Sequence, residues 1–168
     1  MQSFVEAQFS YCPLIWMFHS RNLNNRINRI QERALRIAYR DQTSSFNELL
    51  ILDDSVTIHE RNLQRLAIEM FKIKTNIAPA FLREVFPESN NPINLRRKPC
   101  FQTFNVKTVY HGTETVSFRG PQVWSSLPEV IKNSKNLSEF KNLIKHWKHK
   151  GGMCRMCKTY IQRIGFIN

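Results

Sequence analysis

"RINRIQERALRIAYR", residues 26 to 40, places arginine at positions 26, 29, 33, 36 and 40. A strand cannot gather such a row, because an extended chain sends alternate side chains to opposite faces. A helix can, because positions three and four apart share a side. Leu23, Ile27, Ile30, Ala34 and Ile37 keep the same step. The segment therefore reads as an amphipathic helix with its arginines along the edge of an inward apolar face. Like charges at this spacing repel by roughly a few tenths of a kcal/mol per pair, so the row does nothing for the helix itself. An anion would reverse the sign, and phosphate suits the planar, weakly hydrated guanidinium best. The alternative is a row that snorkels over a core edge and meets water or acidic neighbours.

The charge of the whole chain bears on that choice. Its 168 residues carry 25 Lys+Arg against 13 Asp+Glu, a formal net charge of +12. Residues 21–40 hold six arginines against Glu32 alone, residues 132–168 hold nine basic side chains against Glu139, and residues 41–131 are balanced. Two basic segments on a chain with 42% hydrophobic residues indicate a folded protein with a polyanionic partner: RNA, DNA or an RNA–DNA hybrid before an acidic membrane surface. Lys141, Lys145 and Lys148 each follow an inward residue of the last predicted helix and form the second candidate face.

Further along, Ser45 with Glu48, and Thr57 with Glu60, have the spacing of capping boxes opening two helices. In the second, Leu63, Leu66, Ala67, Met70 and Ile73 face inward, and Asn76 and Pro79 end the run. "PAFLREVF" adds a helical turn. Residues 87–100, with three prolines and three asparagines, read as a linker. Phe104, Val106, Thr108 and Tyr110 then alternate, turn near His111 and Gly112, and return through Thr115 to Phe118 as a β-hairpin. "RGPQVWSSLPEVI" reads as a turn and two short helical pieces anchored by Trp124 and Leu127. Asn136 and Glu139 open a final helix with Leu137, Phe140, Ile144 and Trp147 inward, ending before Gly151 and Gly152. The expected fold is mainly α with a small β-hairpin. Its parts are a helical region over 1–86, a linker over 87–100, a hairpin plus basic helix over 101–150, and a Cys-containing basic tail over 151–168.

"YCPLIWMFHSRNLNNRINRIQERALRIAY" resembles the segment just after the polymerase core of non-LTR, jockey-like retrotransposon reverse transcriptases. Three further blocks match in order: "SVTIHERNLQRLAIEMFKIKTNIAP", the run from "LRRKPCFQTF" to "NLIKHWK", and "CRMCKTYIQRIGFI". The resemblance spans nearly the whole chain. It implies a thumb-like helical bundle followed by a small α+β C-terminal segment that holds an RNA template or its cDNA hybrid. It also implies an upstream polymerase domain that carries the catalytic aspartates. The chain's only Asp pair, Asp53-Asp54, lacks the residues expected before a catalytic pair, and a two-metal centre needs several convergent carboxylates. The pair reads as a complement to a helix N-terminus, and the chain alone is expected not to polymerise. Met1 would then begin in the middle of a structure.

His146, His149, Cys154 and Cys157 make H-x2-H-x4-C-x2-C, all zinc-binding types, so zinc is the one cofactor the sequence admits. The short central gap argues for reduced surface cysteines instead, as does the lack of the further cysteine that the resemblance implies near Met153. No glycine-rich phosphate loop, HExxH or Gly-x-Ser-x-Gly motif occurs. The four scattered cysteines and the absence of a basic leader before "YCPLIWMF" predict an intracellular protein, nuclear or cytoplasmic, not secreted and not membrane-spanning. That apolar stretch should be a buried element. Two rival functions stay open. One is a stand-alone DNA-binding regulator reading bases through Asn24, Asn25 and Asn28; the other is a protein-docking module using residues 4–18.

Overall fold

The computed structural model describes residues 5–89, 100–102, 112 and 115–148. Among these residues the protein is helical: α1 Val5–Ser10, α2 Pro13–Trp16, α3 Arg21–Tyr39, α4 Phe46–Leu52, α5 Ile58–Lys74, α6 Phe81–Val85, α7 Val116–Ser126, α8 Glu129–Lys132 and α9 Leu137–Lys145. They fall into two compact units, the first holding the described residues up to Asn62 together with Lys148, the second those from Leu63 to Trp147, with the boundary inside α5.

Local side-chain caps open α4, α5, α7 and α9. The Ser45 hydroxyl accepts from the Glu48 amide while the Glu48 carboxylate accepts from the Ser45 amide at 2.6 Å, which closes the first capping box. Thr57 and Glu60 repeat it at 3.1 and 3.2 Å. The Asn136 side chain accepts from the Glu139 amide at 2.8 Å and opens α9. Between α3 and α4, the Asp41 carboxylate collects the Ser44 hydroxyl and the Thr43 and Ser44 amides. These bonds, the Ser44 hydroxyl first, hold Asp41 far below the usual carboxylate range. At the other end of α5, Asn76 takes the left-handed conformation at φ 59° and turns the chain.

In the first unit, Leu35 packs in a cluster with Phe46, Leu49 and Leu50 of α4. The N-terminal apolar stretch is buried only in part: Met17 is inside, Trp16 is half-buried, and Tyr11 and Ile15 are exposed. The second unit has an aromatic core. Phe71 of α5 stacks on Phe140 of α9 at 4.4 Å, Phe140 stacks on Trp124 of α7 at 6.1 Å, and Phe101 meets Trp124 edge-on at 5.8 Å. Leu63, Leu66, Ala67, Met70 and Ile73 are all buried, as their spacing predicts. α9 stops at Lys145, and buried Gln64 donates to the carbonyls of Lys145 and Trp147 at 3.2 and 2.8 Å, occupying acceptors that a helix end leaves open.

The hairpin is a correction. Its outgoing residues 103–111 lie outside the described residues, but its returning arm is helical. Val116–Phe118 form the first turn of α7, with the Thr115 hydroxyl accepting from the Phe118 amide. Thr115 acts as an N-cap, and that local bond prevails over the strand propensity of the threonines and valine around it. The described residues hold one isolated antiparallel bridge, Glu88 with Phe101.

Gly120 shows how closely α7 packs. A Cβ there would stand 2.8 Å from Met70 Sδ and 3.0 Å from Phe86 Cε1. Gly120→Val is expected to destabilise the second unit by about 1–3 kcal/mol, with Gly120→Ala at the low end because a thioether yields. Urea midpoints of the two variants check this, and a Gly120→Val midpoint equal to the parent's would refute the close contact.

Candidate nucleic-acid interface

The orientation of α3 decides what its arginines can do. The helix buries Asn24, Ile27, Asn28, Gln31 and Leu35. That face is turned from the apolar row the sequence suggested: Leu23, Ile30 and Ile37 are 44%, 51% and 70% exposed. The turn is fixed by Gln31, whose Nε2 donates to the Val56 carbonyl at 3.0 Å and whose Oε1 accepts from the Ile58 amide at 3.1 Å. This two-point clamp satisfies an orphan donor at the start of α5, which no aliphatic residue can do. Asn24 Oδ1, Asn28 Oδ1 and both polar atoms of the Asn62 carboxamide are buried with no hydrogen-bond partner among the described residues. The seat of α3 is therefore polar.

His19 belongs to the same seat. A carbonyl can only accept, so Nδ1, 3.0 Å from the Trp16 carbonyl, carries the proton; Nε2 is buried on the side of Asn24. Burial chiefly, and His59 nearby, lower the His19 pKa from the ordinary 6.5. The folded state thus binds fewer protons than the unfolded chain, and stability falls as pH drops below the unfolded value. Urea midpoints of the first unit between about pH 7.5 and about pH 5.5 should decline, and His19→Gln should flatten the decline. An unchanged slope in that variant would assign the acid sensitivity elsewhere.

With this seat, the arginines stand outward instead of along the edge. At about 100° per residue, Arg26, Arg33 and Arg40 run down the side opposite the buried one, with Leu23, Ile30 and Ile37 on one shoulder and Arg29 and Arg36 on the other. Arg26, Arg29, Arg33 and Arg40 are exposed and form no ion pair with any described residue. Arg36 is engaged: its Nη2 and Nε reach Glu32 Oε1 at 2.8 and 3.3 Å. A shallow groove of about 870 Å3 follows this face, lined by Arg29, Ile30, Arg33, Ala34, Ile37 and Gln42 among others. Arg40 ends the helix in the left-handed conformation at φ 52°.

The second basic face rests mainly on the other unit. Lys141 and Lys145 are exposed on α9; Lys148 is exposed beyond its end and groups with the first unit, so the three do not share one helix. His146 is the exposed residue that ends α9, while His149, Cys154 and Cys157 lie outside the described residues. No cluster of three or more candidate metal ligands occurs among the described residues. Cys12 and Cys100 are free thiols, and burial pushes Cys100 up.

Two other readings change. Of the three asparagines Asn24, Asn25 and Asn28, Asn24 and Asn28 are 4% and 5% exposed and unable to reach base edges, while Asn25 is partly exposed. The Asp53-Asp54 pair sits at the C-terminal end of α4 rather than in the first turn of α5, and Asp53 Oδ1 accepts the Tyr39 hydroxyl at 2.7 Å. The sequence offered no means of finding the buried carboxamides, because Asn24, Asn28 and Gln31 recur at the same helical step as the aliphatic row. No helix of the described residues is long and apolar enough to cross a membrane. Compared with protein-family models, curated proteins and solved structures, the chain matches none.

Proposed function

We propose that the chain is a non-catalytic nucleic-acid-binding module, the C-terminal portion of a non-LTR retrotransposon RNA-directed DNA polymerase. Arg26, Arg29, Arg33 and Arg40 engage the phosphates of an RNA template or RNA–DNA hybrid. Lys141, Lys145 and Lys148 supply a second basic surface, and an upstream polymerase domain supplies the chemistry. The observation that carries the proposal is the outward arginine row: four guanidinium groups over about 21 Å of helix with no carboxylate paired to them among the described residues. A fold-stabilising row would have been matched with acids, as Arg36 is with Glu32. Burial of Asn24 and Asn28 favours a contact that follows the backbone over one that reads sequence.

The test is anisotropy binding of the full chain to a labelled RNA and its RNA–DNA hybrid between about 50 and about 300 mM salt. Micromolar or tighter binding with a steep salt slope is expected. Flat or absent binding by a folded sample would leave the row a solvated face.

A further inference from the structure

The outward side of α3 has a character that phosphate does not use. Leu23, Ile30 and Ile37 stand 44%, 51% and 70% exposed beside the arginines, although the helix already buries Ile27 and Leu35. Both rows repeat every seven residues, with Leu23, Ile30 and Ile37 beside Arg26, Arg33 and Arg40. We propose that this face docks an acidic amphipathic helix of a partner protein, which lies along the three aliphatic residues and sets its carboxylates against Arg26 and Arg33.

Three observations select that occupant. The first is the repeat: seven residues span about 10.5 Å of helix, the interval at which a second helix returns the same face. An extended partner brings back the same face about every 6.6 Å and falls out of register. The second is charge. Against another copy of itself, the face would oppose arginine to arginine, and Glu32, the only acid of α3, is already engaged by Arg36. A partner with carboxylates removes that repulsion. The third is the aliphatic row itself, which an apolar helix face covers and a phosphate backbone does not. The inference does not rest on the nucleic-acid reading, but it shares Arg26 and Arg33 with it, so the two occupants exclude each other.

The probe is a labelled peptide of about 21 residues, three heptads long, with leucine at the heptad positions and glutamate flanking them. A scrambled peptide of the same composition is its control. With the full chain, the helical peptide is expected to bind at least about tenfold more tightly than the scrambled one. Unlabelled RNA should displace it. The double variant Ile30→Ser/Ile37→Ser, altered only at exposed positions, should weaken the peptide by about tenfold. Equal binding of the two peptides would mean that charge alone is read and would overturn the proposal. So would a double variant that loses RNA and keeps the peptide, which would give the aliphatic row to nucleic acid. RNA affinity is measured separately, so its failure removes only the displacement arm and leaves the comparison of the helical and scrambled peptides to decide the proposal.

Discussion

Replacing Arg26, Arg29 and Arg33 together with glutamine should lower the salt slope of RNA or hybrid binding by about two to three units, near one unit for each phosphate no longer neutralised. If the slopes of parent and variant are extended to a common value near 1 M, the loss near 0.1 M is roughly a hundredfold to a thousandfold in affinity. The substitutions fall on exposed positions and leave the Gln31 clamp and the Leu35 cluster untouched. Far-ultraviolet circular dichroism and the urea midpoint should therefore match the parent. Two controls sharpen the result. Arg36→Gln removes a charge that Glu32 already engages and should move the slope by less than about one unit. Arg40→Gly removes a charge at a left-handed position that favours glycine, so weaker binding there cannot come from a loosened helix. A triple variant that binds like the parent would refute the arginine assignment.

What the sequence made legible was local. The capping boxes at Ser45 and Thr57, the N-cap at Asn136 and the inward run from Leu63 to Ile73 depend on bonds or periods within a few residues, and the structure holds each of them. The facing of α3 was not legible. Its aliphatic and carboxamide rows share one period and differ by about one residue step around the cylinder, so periodicity cannot choose between them. The choice comes from Gln31 meeting Val56 and Ile58, more than twenty residues away. The start of α7 shows a similar competition. Alternating threonines and a valine suggest a strand, while one hydroxyl bond from Thr115 to Phe118 begins a helix. For the candidate site, the helical step was enough to place the arginines in a row, but their outward stance and the exposed aliphatic shoulder depend on tertiary contacts.

Phe140→Ala should have the largest effect on stability, about 3–5 kcal/mol, because it removes a fully buried ring from a packed stack. Phe140 lies 4.4 Å from Phe71 and 6.1 Å from Trp124, so both neighbours lose a partner, and α7 cannot follow inward while Gly120 already lies against Met70 and Phe86. Little collapse is therefore available to offset the cavity, which places the cost toward the upper end of that range. With a urea m-value of about 1–3 kcal/mol/M, the midpoint of the second unit should fall by at least about 1 M. Phe140→Leu, which keeps most of the volume, should cost less than half as much. The same variant separates the two basic surfaces. Phe140 anchors the helix that presents Lys141 and Lys145, whereas the arginine row belongs to the other unit. If binding runs along α3, the salt slope of Phe140→Ala stays near that of the parent under conditions where the first unit is folded. A slope that falls with the stability of the second unit would instead give the lysine face the larger share of the phosphate contacts.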